Sequence, residues 1–532
     1  MGSIVEEGWI HGTSPLDGAP LSSVRVTAAG DIAGVVHAAR RAQAAWARRP
    51  VAERARALAE AGRRLLGRAD EIAQALHREL GKPMADAYGV DLGSTPEVFR
   101  YYTTRGEAFL GDEAVAFNPV MFPRKRARVE RLPHGVVGLI TPWNYPVSVA
   151  VHNLVPALLA GNAVVLKPSE HAARTGAALA GALREALPEA LLGLVQGGAE
   201  AGAALVAEVD HVVFVGGVAG GRAVARAAAD RLIPAQIELG GKDAAIVLRD
   251  ADLERAAHGV AWAGFVNAGQ SCAGIERVYV EAEVFEAFVE RLVAVAERLR
   301  AGDDGGAPGT VEIGPLVTEA QMARVEAHVR AAVAAGARVR CGGARRGNFY
   351  LPTVLTGVDP SLDLLREETF GPVLPVIAVP DAGAAVRAAN ESAYGLTGSV
   401  WTRDVARGEA LARELRVGVA TVNNHMFTGA APQAVWTGRG RSGHGVQNGP
   451  EALRAMTRPR LIAVDESTAA RELWWFPYDR AFVEMSRGMV RSLGASSGLD
   501  RLSSVGRMVR GAARRWVGAR AASRARHAWG RE

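Results

Sequence analysis

From residue 134 onward the chain repeats one pattern. A short apolar run is followed by an Ala-rich stretch with helical spacing, and the next run comes 20–30 residues later. The runs are "GVVGLI" (135–140), "AVVLK" (163–167), "LGLVQ" (192–196), "HVVFV" (211–215) and "AQIEL" (235–239). Runs of five or six apolar residues are too short for free-standing helices and too continuous for strands with one wet face. They read as strands buried on both faces, with the intervening helices as crossovers. Such βαβ units build a parallel sheet covered on both sides.

A second alternating series follows Gly240, with "AAIVL", "ERVYVEAEVFEAFVERLVAVAERL" and "TGSVWT" among its members, and it predicts a second α/β domain. Residues 31–111 carry apolar positions at helical spacing, as in "VAERARALAEAGRRLLGRADEIAQAL". The expected division is a first domain from 1–113 and 134–239 and a second from 240–445. The segments 114–133 and 446–466 read as strands that leave the body. Detached strands seek partners at an edge, so they are expected to join subunits into a homodimer or homotetramer.

Composition limits the function classes. With 49% hydrophobic and 22% charged residues the chain is of ordinary globular type, and two cysteines make no disulfide framework. The start, "MGSIVEEGWIHGTSP", has acids where a signal peptide needs a basic and then an apolar segment, so a cytoplasmic protein is expected. Residues 147–166 are twenty without a formal charge, but Asn153, Pro156 and the "GN" at 161–162 divide them into a helix, a turn and a strand. From Arg471 to the end there are thirteen arginines against five acids, a net +8 in a chain of net +6, so residues 1–470 carry −2. The body gives no reason to expect a nucleic-acid partner. Only four of the 62 basic residues are lysines: Lys82, Lys125, Lys167 and Lys242.

In open α/β sheets ligands sit beyond the carboxyl ends of the strands, and the chemistry-bearing residues of this chain cluster there. "TPWNYP" follows the first run and brings Trp143 and Asn144 to the rim. "KPSE" brings Lys167 and Glu170, "GGVAGG" (216–221) opens a helix, and "ELGGK" brings Glu238 and Lys242. Glycines ahead of a helix let backbone N–H groups approach a pyrophosphate. Glu170 could accept from two ribose hydroxyls, and Asn144 could cap a helix or donate to an oxyanion. Cys272 stands at the end of "NAGQSC" (267–272). By its residues alone it could be a buried small hydrophobe, a disulfide partner of Cys341, a metal ligand or a nucleophile. The twelve histidines show no metal-ligand spacing.

Together "TPWNYP", "KPSE", "ELGGKD", "NAGQSC", "EETFGP" (367–372) and "NESAYGL" (390–396) resemble the aldehyde dehydrogenase superfamily in order and spacing, over about residues 5–465. "RLIPAQIELGGK" and "NAGQSCAGIERVYV" are most similar in texture to bacterial succinate-semialdehyde dehydrogenases. The resemblance implies a Rossmann-like cofactor domain, a second catalytic α/β domain and protruding oligomerisation strands. It implies oxidation of a small-molecule aldehyde, with a semialdehyde as one candidate, and no metal. Cys272 would be the nucleophile, Asn144 with the Cys272 N–H the oxyanion site, and Glu238 the base that releases a carboxylic acid. The cofactor would be NAD, with NADP as the alternative, because Glu170 would repel a 2′-phosphate. Thr141, Pro142, Trp143, Lys167, Ser169, Glu170, Gly216, Gly217, Gly221, Leu239, Gly240, Glu368 and Phe370 would hold it. Lys82 and Lys242 fall in family-like motifs and are expected to be structural.

Two places depart from the family pattern. Gly217 replaces a hydroxyl residue in the phosphate loop, flanked by Val215 and Val218, which removes one phosphate hydrogen bond. "VWTGRGRSGHGVQ" keeps Trp436 and Gly438 but has Gly440 where a lysine is usual, in the flap over the substrate tunnel. His152, Val149, Phe427 and His425 could line that tunnel or simply pack. No arginine is identified for a substrate carboxylate. Residues 470–532 lie outside the resemblance. There Val505, Met508, Val509, Ala512 and Trp516 fall on one helical face, with Arg507, Arg510, Arg514 and Arg515 largely elsewhere. That pattern suits a peripheral membrane helix or an Arg-rich disordered or subunit-packing tail. A rival to the enzyme is a catalytically weak scaffold of the same fold acting through this tail.

Overall fold

The computed structural model describes residues 2–119, 121–305, 308–476 and 478–528. The five predicted strands are present as Val136–Thr141, Ala163–Pro168, Leu192–Leu194, His211–Val215 and Ala235–Glu238. They lie parallel, in the order 235–238, 211–215, 136–141, 163–168, 192–194. All six residues of Val136–Thr141 are buried, and so are all six of Ala163–Pro168, as a sheet covered on both faces requires. The uncharged stretch 147–166 resolves into the helix Pro146–Leu159, a turn at Gly161 (φ +99°) and the second strand. Among the described residues no helix is long and apolar enough to cross a membrane.

The second series forms a seven-stranded sheet. Its order is 338–341, 353–356, 373–379, 275–281, 243–247, 397–401, 419–422, parallel except for the antiparallel 338–341. Each sheet has its own apolar core, one around Val137, Leu154 and Val165 and the other around Val278, Phe288 and Leu374.

Chain contacts divide the molecule differently from the sequence reading. Both sheets belong to one compact unit, made of the residues up to Asp112 together with Glu130–Arg460. Glu113–Val129 and the chain from Leu461 on form the other. The segment 446–466 is not one strand. Asn448 (φ +65°) precedes the helix Gly449–Ala455, which buries Leu453, and the strand is confined to Thr457–Asp465. Gly443–His444 returns to the first sheet and pairs antiparallel with Ile237–Glu238, so 240–445 is not confined to the second sheet. In the segment 114–133, Lys125–Pro133 is the middle strand of a three-stranded sheet between Thr457–Asp465 and Glu113–Val115.

The tail forms two helices, Arg480–Leu493 and Gly498–Ala528, packed on each other. The expected single apolar face of the second helix is divided. Ser504, Gly511 and Arg515 are buried and Met508 and Ala512 half-buried, whereas Val505 and Val509 are exposed. The side chain of Trp516 lies outside the described residues. Glycine sets the packed face. A Cβ on Gly488 would lie 2.4 Å from the Met508 nitrogen, and one on Gly511 2.6 Å from that of Met485, so the two backbones approach closely there.

Candidate active site

The carboxyl ends of the first sheet's strands supply most of the site. Thr141, Pro142 and Trp143, then Lys167, Ser169 and Glu170, then Gly216 and Gly217 line one cavity of about 340 Å3. Gly217 stands at the N-terminus of the helix Val218–Asp230, where unpaired N–H groups favour an anion. A second cavity of about 190 Å3 shares Pro142, Trp143, Gly216 and Gly217 with the first, and adds Asn144, Leu239, Gly240, Cys272, Glu368 and Phe370. Trp143 and Phe370 meet there edge to face, with ring centroids 5.6 Å apart. A third chamber of about 160 Å3 shares Val149, Val215, Leu239 and Cys272 with the second and is lined by Glu238. Cys272 thus faces two cavities, one continuous with the glycine-rich loop and the other containing Glu238.

The residues fit a dinucleotide. The Thr141 hydroxyl is buried in the first cavity with no partner among the described residues. Gly217 opens onto free space, and a Cβ on Gly240 would lie 2.1 Å from Glu368 Oε1, so only glycine leaves that carboxylate its place. Gly221 lines none of these cavities. A Cβ there would press on Leu239 and Ile237, so the close packing of helix on strand requires glycine at this position. Lys167 Nζ is 3.9 Å from Glu170 and donates to the Pro168 carbonyl at 3.3 Å, and burial lowers its pKa.

The loop that carries the thiol is braced by its own motif. Asn267 and Ala268 hold left-handed φ values of 54° and 55°. Lys82 Nζ donates to Asn267 Oδ1 at 2.9 Å. Asn267 Nδ2 donates to the carbonyls of Asn144 (3.1 Å) and Gln270 (3.0 Å), and Gln270 Nε2 returns a bond to the Asn267 carbonyl at 3.0 Å. Asn144 Nδ2 donates to the same Gln270 carbonyl at 3.1 Å. Lys82 is therefore a strut of the loop. Lys242 plays the same part for the loop 367–372. Its Nζ is 2.5 Å from Glu276 Oε2, and Glu276 accepts from the N–H groups of Thr369 and Phe370.

Electrostatically, buried carboxyls crowd the thiol. Burial pushes the Cys272 thiol up to about 12, and the carboxyls of Glu368, Asp243 and Glu238 add to the rise. Burial also raises Glu368 to about 8 and Asp243 to about 7. Glu238 is raised well above the ordinary carboxylate range by burial, and its Oε1 has no partner among the described residues. A cation held beside the sulfur would stabilise the thiolate.

Of the tunnel candidates, Val149, Phe427 and Trp436 line the third chamber. His152 and His425 do not. His152 is tied to Asn448 Oδ1 (2.6 Å) and Ser94 (3.1 Å), and His425 to Thr397 and the Ala273 carbonyl (3.0 Å each). The sequence reading missed Tyr145, Trp262, Met426 and Gln447 in this chamber, and Gln321 and Arg324 in the second cavity. Tyr145, beside Asn144 in "TPWNYP", Met426, between His425 and Phe427, and Gln447, at the end of "VWTGRGRSGHGVQ", had a signal; Trp262, Gln321 and Arg324 come from elements that no motif marks.

The family model described as the aldehyde dehydrogenase family matches residues 5–462. A Methylomonas protein named 4,4'-diapolycopene aldehyde oxidase is 36% identical over 483 residues, covering 90% of either chain. A Mycobacterium tuberculosis protein provisionally named an NADP-dependent succinate-semialdehyde dehydrogenase is 38% identical over 455 residues, 84% of this chain and 86% of its own. Among solved structures, an aldehyde dehydrogenase of Mycobacterium tuberculosis complexed with NAD+ matches with a TM-score of 0.82 at 34% identity, over 87% of this chain and 96% of its own. The NADP-dependent glyceraldehyde-3-phosphate dehydrogenase of Bacillus halodurans, complexed with NADP, matches with the same score at 33% identity and the same coverage.

Proposed function

Since this chain belongs to the aldehyde dehydrogenase family, we propose that it oxidises an apolar aldehyde to the carboxylic acid through a covalent adduct on Cys272. The observation that carries this reading is the position of Cys272 on both the glycine-loop side and the Glu238 side of the site. The Cys272 thiol releases its proton to solvent, the sulfur adds to the carbonyl carbon, and the C=O electron pair moves to oxygen. The Cys272 N–H and Asn144 Nδ2, turned from the Gln270 carbonyl, hold that oxygen; one such donor is typically worth about 3–4 kcal/mol. A bound NAD or NADP supplies the hydride acceptor and, in its oxidised form, a positive ring. The adduct thereby becomes a thioester on Cys272. Glu238 takes a proton from water, the water oxygen bonds to the acyl carbon, the C–S bond breaks and the thiol is restored. Glu170 favours NAD, because a 2′-phosphate beside its carboxylate meets like charge.

Support for an apolar substrate comes from the third chamber. Tyr145, Val149, Trp262, Met426, Phe427 and Trp436 are among its lining residues, and Arg, Lys and His are absent from that lining. A semialdehyde, which the sequence texture suggests, would leave its carboxylate there without a cation. An unpaired buried charge costs about 3 kcal/mol or more. A relative 36% identical to this chain is named for an aldehyde that is not a semialdehyde. The scaffold alternative gains no support from a site that keeps Cys272 and Glu238 on one chamber. The same reading takes the enzyme to be a homo-oligomer joined through its edge strands.

Cofactor reduction with a panel of aliphatic, aromatic and carboxylated aldehydes tests this. Medium-chain aliphatic or aromatic aldehydes are expected to exceed succinic semialdehyde by about a hundredfold in kcat/KM, the factor that about 3 kcal/mol represents. Preference for succinic semialdehyde overturns the substrate class, and no reduction with any aldehyde overturns the function.

A further inference from the structure

The second tail helix, Gly498–Ala528, has an apolar side that packs against no other element among the described residues. Leu502, Val505, Val509, Ala513 and Val517 follow one another at steps of three and four residues and so form one line along the helix. All five are exposed, Leu502 by 71% and Val517 by 64%. The line runs nearly opposite the face of Ser504, Gly511 and Arg515 that meets the helix Arg480–Leu493. Arg515 is engaged there, donating to the carbonyls of Leu473 and Trp475. Arg510 and Arg514, exposed, lie to one side of the line, and Arg514 also pairs with Glu484 of the packed helix at 3.2 Å. Water does not favour a row of uncovered aliphatic side chains four turns long, and such patches mark interaction sites.

We propose that this face lies on an anionic lipid surface, with the apolar line in the acyl boundary and the arginines at the phosphates. Charge selects this occupant. From Arg471 on, thirteen arginines stand against five acids. A second copy docked on the same line would bring two such arginine rows together, whereas a phosphate surface neutralises them. The line spans sixteen residues, about 22 Å of helix, a length for lying in the interface. No described helix has the length and apolarity to span the bilayer. The proposal stands apart from the oxidoreductase reading and does not depend on it.

The test is cosedimentation of the full chain with extruded vesicles, either phosphatidylcholine alone or three parts phosphatidylcholine to one of phosphatidylglycerol. Binding is expected on the mixed vesicles only and is expected to fall as salt rises. Val505→Glu with Val509→Glu should abolish it. Arg510→Ala with Arg514→Ala should weaken it about thirtyfold, at about 1 kcal/mol for each arginine near the surface. Far-UV circular dichroism and aldehyde oxidation, unchanged in both, show that the fold has survived. Equal binding to neutral vesicles, no binding to either, or undiminished binding by the glutamate variant overturns the proposal. So does a glutamate variant that, without lipid, breaks an oligomer into smaller species, since a second copy then covers the line. If the glutamate variant loses helix, the arginine variant and the salt dependence of the unaltered chain decide by themselves.

Discussion

A buried carboxyl with one oxygen unpartnered is the sharpest feature of the site. Glu238 is 4% exposed, and desolvation alone accounts for its raised pKa. A raised carboxylate pKa means that the proton-accepting form is scarce at neutral pH and grows as pH rises. Thioester hydrolysis should therefore quicken with pH and level off only on the alkaline side. Glu238→Gln removes that base and leaves the thiol and its oxyanion donors in place. Stopped-flow measurement should show a burst of reduced cofactor near one per site, followed by turnover slowed about 10²–10⁴-fold and without the alkaline climb. A steady rate within a few-fold of the unaltered enzyme would remove Glu238 from deacylation. At this scale the sequence is informative where chemistry sits at strand ends, because the fold puts those positions on one rim. It is silent on Trp262, Gln321 and Arg324, which reach the cavities from elements that no short motif marks. It leaves His152 and His425 open between tunnel lining and packing, and both are consumed by hydrogen bonds in the core.

The loop 367–372 shows what an element needs beyond its motif. It brings Glu368 and Phe370 to the middle cavity with Phe370 at φ +55°, a strained value for an aromatic residue. Glu276, from the central strand Ile275–Glu281, accepts from Thr369 N and Phe370 N, and Lys242 neutralises it. Removing one partner of such a pair leaves the other buried without compensation, at a cost of about 3–5 kcal/mol. Glu276→Ala should lower the thermal midpoint by several degrees and raise the KM for cofactor more than that for aldehyde. Glu276→Gln, which keeps an acceptor for the two N–H groups, should recover part of the cofactor affinity. A cofactor KM unchanged in the alanine variant would show that the loop holds itself. The strands of the first sheet are readable in the sequence because burial on both faces leaves nearly pure aliphatic runs. The break at 446–456 is not, since "NGPEALRA" has neither a long apolar run nor a full helical period, and the left-handed Asn448 that starts its helix is a backbone choice.

For the whole molecule the open question is how the strand Thr457–Asp465 is satisfied. It lies at the edge of its three-stranded sheet, beside Lys125–Pro133. Arg458, Pro459, Arg460, Leu461 and Ala463 are all exposed, Leu461 by 56%. An edge strand of nine residues presents a row of N–H and C=O groups to any matching strand. The charged residues at its start and Asp465 at its end do not block the middle. Pairing with the same strand of another chain would satisfy these groups around a twofold axis, and two such dimers would make a tetramer. Mass photometry of the unaltered enzyme should then give two or four chains per particle. Leu461→Glu with Ala463→Glu places like charges opposite one another across the twofold and should shift the population to single chains. Cofactor contacts within each chain should remain, so NAD binding per chain should persist. A unaltered enzyme that is a single chain at micromolar concentration would show that the edge is left to solvent. A glutamate variant that keeps the full assembly would place the subunit contact elsewhere on the surface.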